Sequence, residues 1–261
     1  MPDIESHKQN EDQILIARVD ELEQLKKARE RIKIETFFPD EGLYHRGLYP
    51  KHINFFAAGT RHIPLGDCPR DCDGSAHRER GFMAANRIGK TLTASYEVAC
   101  HATGRYPPWW PGARFPFPVT VWSCGKRNND VRDVNQLALL GEYEKVGTGM
   151  IPYQYITGEP AKKPGVQKAF ESVNVKHISG GTSNIIFKSY EEGWKAFAGR
   201  SIHVIWCDEE PPIDVYAECQ IRTMATGAFK GGLILLTFTP LEGVTEVVKG
   251  FLDTRPDRLE N

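Results

Sequence analysis

The octapeptide Ala84-Ala85-Asn86-Arg87-Ile88-Gly89-Lys90-Thr91 carries the residue types of a phosphate-binding loop. It stands between an apolar run, Gly81-Phe82-Met83, and a segment with helical character. In such a loop successive backbone N–H groups curl around a β-phosphate, and the N-terminus of the following helix adds positive potential. A Lys reaches the β/γ oxygens and a hydroxyl ligates Mg²⁺. Gly89, Lys90 and Thr91 suit those three tasks, whereas Ala84 stands where such loops usually have Gly. A chance Gly-Lys-Thr in a strand-to-helix turn would read the same, so the loop needs a second feature to support it.

That feature is the stretch from Ile202 to Glu210, an apolar run that ends in Asp208-Glu209-Glu210 and enters Pro211-Pro212. An Asp at the tip of a strand beside the loop strand can hold Mg²⁺ through water, and a Glu one residue later can polarise an attacking water. Asp208 and Glu209 are the candidates for those roles. An acidic helix start, favoured by the helix dipole, would account for Glu210 and Asp214 but not for the apolar run before them. The two stretches together point to ATP binding with hydrolysis.

The elements that must position these residues follow from periodicity. Glu79 to Ala85 is the strand that delivers the loop, and Lys90 to His101 is the helix after it. Val119-Thr120-Val121-Trp122-Ser123 is a second strand, followed by a helix over Asn128 to Leu140 with Val131, Val134, Leu137, Ala138 and Leu140 inward. Val173–Ile178 and Ser183–Tyr190 flank Ser179-Gly180-Gly181-Thr182 and predict a β-hairpin, because paired glycines supply the positive φ of a tight turn. Asp214–Met224 reads as a helix, and Gly232–Phe238 as a buried strand whose end, Thr237-Phe238-Thr239-Pro240, turns hydroxyls toward the γ-phosphate region. The sheet is expected to be mixed.

Upstream, Leu15, Val19, Leu22, Leu25 and Ile32 recur at three- and four-residue steps and predict an amphipathic helical arm packed on its own domain. In Tyr49-Pro50-Lys51-His52-Ile53-Asn54-Phe55-Phe56, Tyr49 and His52 are candidates for a base pocket, with core aromatics of a short helix as the equal alternative. His62, Cys68, Cys72 and His77 supply four zinc-type donors, but their spacing matches no strong zinc-finger pattern, and a solvent-facing polar insertion is the default expectation. The proline-rich stretch from Thr103 to Pro118 is expected to be an irregular loop, with Trp109 and Trp110 packed over the sheet edge rather than stacked on nucleic acid.

Composition bounds the remaining choices. The chain has 261 residues and is 40% hydrophobic, enough for one main core with small appendages. With 33 basic against 34 acidic residues, any nucleic-acid contact must come from local patches. No apolar run of ~20 residues and no signal-peptide pattern is present, so the expectation is a soluble intracellular chain without a membrane partner. The six cysteines need not pair, and Cys100 and Cys207 read as small core residues.

The order of these pieces, from the Tyr-Pro-Lys-His run through the loop, then Trp194 to Pro212, then Leu236-Thr237-Phe238-Thr239-Pro240-Leu241-Glu242-Gly243, resembles the ATPase domain of tailed-bacteriophage terminase large subunits over residues 44 to 251. The resemblance implies an α/β fold. The expected class is a P-loop NTPase (ASCE/RecA-like), a three-layer sandwich whose mostly parallel central sheet has an extra strand between the loop strand and the acidic strand, to which the residues above add a β-hairpin and an N-terminal helical arm. With the arm read from periodicity, the expected division is a helical arm over residues 1–43 and an ATPase domain over 44–261. The resemblance also implies a DNA-packaging motor, in which a ring of subunits at the capsid portal uses ATP and Mg²⁺ to pump double-stranded DNA into a procapsid. The portal protein and the small terminase subunit would be its partners, and the host cytoplasm its location.

Carried onto this sequence, the pattern puts Lys90 on phosphate, Thr91 and Asp208 on Mg²⁺, and Glu209 as the water-activating base. Thr237 and Thr239 match a coupling motif that senses the γ-phosphate. Two arginines could serve as the finger that stabilises transition-state charge: Arg87 within its own subunit, or Arg200, expected near the catalytic edge, reaching into a neighbour. His52 stands where related motors often have a Gln that reads adenine. Family members normally continue into an RNase H-like nuclease, and because this chain ends at Asn261 the expectation is an isolated ATPase domain that does not cleave DNA. The rivals are a helicase-like translocating ATPase, which would need a second motor domain, and a non-hydrolysing docking module, which would have no need of Glu209.

Overall fold

The computed structural model describes residues 13, 15–16, 18–19, 33–43, 45–59, 78–224, 231–241 and 243–252. His62, Cys68, Cys72 and His77, the zinc-type donors, lie outside the described residues, as do Leu22, Leu25 and Ile32 of the arm.

Seven strands form one sheet: β1 (Glu79–Met83), β2 (Thr120–Gly125), β3 (Ile156–Lys162), β4 (Phe170–Lys176), β5 (Thr182–Ser189), β6 (Val204–Asp208) and β7 (Leu233–Phe238). Their order is β1-β7-β6-β2-β5-β4-β3. The first five in that order run parallel, and β4 and β3 are antiparallel additions. The loop strand β1 is therefore separated from the acidic strand β6 by β7, as the sequence implied. β6 and β7 are buried along their whole length, which a parallel sheet requires when helices cover both faces.

The strand period of two sorts these side chains into two cores. Val204, Trp206, Leu233 and Leu235 face one way, toward α2 (Lys90–Thr103) and α1 (Pro50–Ala57). Ile205, Cys207, Ile234 and Leu236 face the other, toward α3 (Ile213–Thr223) and α4 (Glu246–Phe251). The result is the expected three-layer sandwich. Ile34 and Phe38, from the segment before α1, are buried in the first core. Cys100, Cys124, Cys207 and Cys219 are free and buried.

Three expectations are corrected, and one further strand is present. Residues 128–140 are helical, but Val131–Gln136 is a π-helix, whose i→i+5 bonds widen the turn and rotate the later residues. Val134 and Leu137 consequently face solvent, and Leu139 and Leu140 fill the core. Strand β3 was not foreseen; it is an edge strand of exposed polar residues whose register is irregular and which tolerates Pro160, so it carries no alternating apolar signal. Leu15 and Val19 lie on helical backbone but are exposed rather than packed on the domain. Trp110 is buried against Phe56 and Trp109 stacks on Tyr96, so the pair packs on α1 and α2 and not over a sheet edge. The expected hairpin is present, with Gly180 at φ +96° in the turn between β4 and β5.

Beneath α1 lies a buried polar network. Arg80 donates to the Glu97 carboxylate at 2.6 and 3.2 Å and to the Phe55 carbonyl. His101 Nε2 lies 3.1 Å from Glu97, and its Nδ1 lies 2.9 Å from the Tyr106 hydroxyl, which accepts from the Phe115 N–H. Burial opposes the Glu97 charge, but Arg80 and His101 outweigh it and hold the carboxyl below its ordinary value; burial lowers His101. Both groups thus bind fewer protons folded than unfolded, so stability is present above about pH 6.5 and is lost as pH falls through and below the ordinary His and Glu ranges. Glu97→Ala is expected to cost roughly 3–5 kcal/mol in urea unfolding at pH 7, because it strands the Arg80 guanidinium in the core. A cost below ~1 kcal/mol would mean that the network contributes little.

Candidate active site

The parallel strands β1, β7 and β6 end at one edge of the sheet, and the chemistry-bearing residues collect there. The loop leaves β1 at Ala84, whose N–H bonds the Phe238 carbonyl at 3.3 Å, and closes at Gly89 with φ +88°, the left-handed conformation that glycine adopts without penalty. Helix α2 starts at the next residue. Lys90 is 7% exposed and folds back over the loop, donating to the carbonyls of Ala84 (2.9 Å) and Ala85 (2.8 Å) and to Thr239 Oγ1 (2.9 Å). Thr239 Oγ1 also lies 2.8 Å from Asn86 Oδ1 and 3.0 Å from the Ala84 carbonyl. Among the described residues the acceptors of the ammonium are all neutral: two carbonyls and a hydroxyl.

Asp208 ends β6 in register with Thr237 on β7. Its Oδ1 accepts from Thr237 Oγ1 at 2.7 Å and from Thr91 Oγ1 at 3.2 Å, and the Trp206 indole N–H donates to Thr237 Oγ1 at 2.8 Å. Burial pushes the Asp208 carboxyl up to about 6; the neighbouring Glu209 adds to the rise, while the Thr237 and Thr91 hydroxyls and Lys90 oppose it. A carboxylate so desolvated gains from a cation. Among the described residues no group of three or more His, Cys, Asp or Glu can hold a metal. The chain therefore offers one hydroxyl and one carboxylate, hard oxygens of the kind Mg²⁺ takes from protein when phosphates and waters complete its shell.

Glu209 has φ +61°, an unfavourable conformation for a residue with a Cβ. Its N–H bonds the Thr237 carbonyl at 2.9 Å. Arg87, in the loop, has φ +64°; of the three described non-glycine residues in this region, two are at this site, as expected where geometry is dictated by function. The Arg87 guanidinium is exposed and makes no hydrogen bond or ion pair among the described residues. Ile88 is exposed at the loop tip, and its carbonyl lies 2.9 Å from His52 Nε2. The His52 ring is set between Tyr49 and Phe82, with centroids 5.3 and 5.1 Å away, which ties α1 to the loop.

Arg200 is the exception. It precedes β6, and the neighbouring Ile202 N–H bonds the Arg222 carbonyl at the far end of α3. Since β6 runs for about 13 Å at ~3.3 Å per residue from there to Asp208, Arg200 sits at the opposite edge of the sheet from the loop of its own chain. The expectation that it is near the catalytic edge is corrected: the chain crosses the sheet between Tyr190 and Ile202. Two residues of the site went unnoticed in the sequence. Trp206 was legible, because a residue two before Asp208 in a strand shares its face. Tyr190, whose hydroxyl reaches the Asp208 and Glu209 carbonyls, left no local signal.

A glycine-closed loop at the tip of β1, a carboxylate at the tip of β6 and a hydroxyl-bearing strand between them define a P-loop NTPase fold. The family model described as terminase large subunit, T4likevirus-type, N-terminal, matches residues 81–260, and the chain belongs to that family. It is 38% identical over 199 residues to the terminase large subunit of Salmonella phage P22, a match covering 69% of this chain and 39% of that protein. The chain thus spans about two fifths of the length of that relative. Among solved structures it is similar to the large terminase ATPase domain of Thermus phage P74-26, with 17% identity, TM-score 0.43, and coverage of 64% of this chain and 61% of the other. It is also similar to the large terminase of another thermophilic bacteriophage in complex with ADP, with 13% identity, TM-score 0.38, and coverage of 60% and 32%. No helix among the described residues is long and apolar enough to cross a membrane.

Proposed function

We propose that this chain is the Mg²⁺-dependent ATP-hydrolysing motor domain of a terminase large subunit, working as a ring at the procapsid portal in the host cytoplasm. Its partners are double-stranded DNA, the portal protein and the small terminase subunit. The observation that carries this reading is the hydrogen-bonded chain Thr91–Asp208–Thr237 beside Lys90, with Glu209 held next to it in a left-handed turn. Docking alone would require no such acid at the γ-phosphate position.

On this reading Lys90 leaves the Ala84 and Ala85 carbonyls for the β/γ oxygens, while Ala84 to Gly89 present their amides to the phosphates. Tyr49 and His52 flank the base. Thr91 and Asp208 would hold Mg²⁺, which when bound would neutralise developing charge on the phosphate oxygens. Glu209 orients a water in line with the γ-phosphorus and takes its proton as the new P–O bond forms and the bond to the ADP oxygen breaks. Thr237 touches Asp208 and Thr239 touches Lys90, so loss of the γ-phosphate alters both contacts at once and is passed to β7; that is the basis for assigning the pair to coupling.

The test is steady-state ATP turnover across protein concentrations. Turnover rising faster than linearly supports sites completed by neighbours, and strict proportionality supports Arg87 acting in cis. In the trans case, mixing Arg200→Ala with Glu209→Gln chains is expected to restore part of the activity, since each completes the other's site. No recovery in a proven ring assigns the finger to Arg87. Asp208→Asn is expected to raise the Mg²⁺ concentration needed for half-maximal turnover by about tenfold or more, the scale of one lost charged ligand. An unchanged Mg²⁺ titration would move the metal elsewhere.

A further inference from the structure

We infer that the Tyr190 hydroxyl is a positioning group for Glu209, holding the turn that aims its carboxylate; the inference rests on the reading of Glu209 as the base. Tyr190 follows β5 in the 3₁₀ turn Tyr190–Glu192 and is 5% exposed. Strand β2 lies between β5 and β6, so the side chain reaches past the end of β2 to the tip of β6. There its hydroxyl is 3.2 Å from the Asp208 carbonyl and 3.1 Å from the Glu209 carbonyl, placing one shared proton across the two peptide units that bracket the turn.

The geometry answers a specific problem. An L-residue at φ +61° relaxes toward negative φ unless its neighbours prevent it, and that rotation would swing the Glu209 side chain away. The N–H side of Glu209 is held by the Thr237 carbonyl, and the hydroxyl of Tyr190 holds the carbonyl side. The backbone of the anchor is fixed by its neighbours on the chain, Glu191 and Glu192, while its ring lies in the second core. The Tyr190 ring packs beside Phe197, with centroids 6.4 Å apart. Glu191 accepts from both the backbone N–H and the side-chain amide of Asn128 at 2.9 and 2.8 Å, and Glu192 pairs with Lys163. Among the described residues Tyr190 makes no hydrogen bond or ring contact with the phosphate loop, so its role separates the chemical step from nucleotide binding.

The experiment compares the parent chain with Tyr190→Phe, Phe197→Leu, Glu209→Gln and the Tyr190→Phe/Glu209→Gln double variant. Turnover, equilibrium ATP affinity with Mg²⁺ and the thermal midpoint are measured for each. Tyr190→Phe keeps the ring and is expected to lower kcat about tenfold or more, the scale of a small misplacement of a reacting group, with ATP affinity unchanged. The double variant is expected to match Glu209→Gln. Phe197→Leu loosens the same ring cluster without touching the hydroxyl and is expected to lower the midpoint while leaving kcat within about twofold. Full kcat in Tyr190→Phe, a matching kcat loss in Phe197→Leu, or a further loss in the double variant each overturns the positioning role while leaving Glu209 as base. Parent-like turnover in Glu209→Gln overturns the base reading, and the inference with it.

Discussion

Lys90→Ala is expected to lower ATP affinity by about 100-fold or more and to bring turnover to background, because two charge-assisted hydrogen bonds to phosphate disappear together. The argument starts from where the ammonium sits. It is buried among the Ala84 and Ala85 carbonyls and the Thr239 hydroxyl, and among the described residues no carboxylate lies within ion-pairing distance. A buried cation whose acceptors are all neutral is incompletely compensated, and a phosphate supplies the missing charge. The carbonyls it leaves are at the loop, where water can donate to them. Calorimetric titration with ATP and Mg²⁺, beside the parent, reads the effect directly. Parent-like affinity would show that residues 84–91 do not cradle the phosphates and would remove the foundation of the proposed function.

Glu209→Gln is expected to separate binding from chemistry: ATP affinity within about threefold of the parent, and turnover lower by about 10³-fold, inside the range attributed to a general base. Gln keeps the length and hydrogen-bonding capacity of Glu but cannot accept the proton of the attacking water. The substitution leaves the N–H bond to Thr237 and the carbonyl contact to Tyr190 in place, since both are backbone contacts of residue 209. The left-handed backbone is equally unfavourable for both side chains, so the turn is not relieved by the exchange. Single-turnover hydrolysis under saturating ATP is the decisive measurement. Retained turnover would remove Glu209 as the base and place the activation of the water on another group.

The five-stranded parallel part of the fold was legible because each strand is short, apolar and punctuated: Gly81-Phe82-Met83 before the loop, Val204 to Cys207 before three acids, and Leu233 to Leu236 before Thr237. The π-helical turn was not. It arises where Asn135 must reach Ser123 and the Cys124 carbonyl while Gln136 serves Lys168 and Phe170, partners that no local window contains. The edge strand β3 was hidden for the converse reason, since backbone hydrogen bonds to β4 organise it and its side chains remain in water.

For the site, the sequence by itself determined the candidate groups: Lys90 and Thr91 after Gly89, Asp208 and Glu209 at a strand tip, and Thr237 and Thr239 at another. Each is specified by chemistry that only a few side chains can perform, so residue type and local spacing suffice. Tertiary structure alone decided which of them meet. It set β7 between β1 and β6, so that Thr237 bonds Asp208 and Thr239 bonds Lys90. It carried Arg200 to the far edge of the sheet, and it brought Tyr190 past β2 to the turn at Glu209. Those outcomes depend on strand order and on which end of a strand a connection enters, and both are set by packing helices on two faces of one sheet.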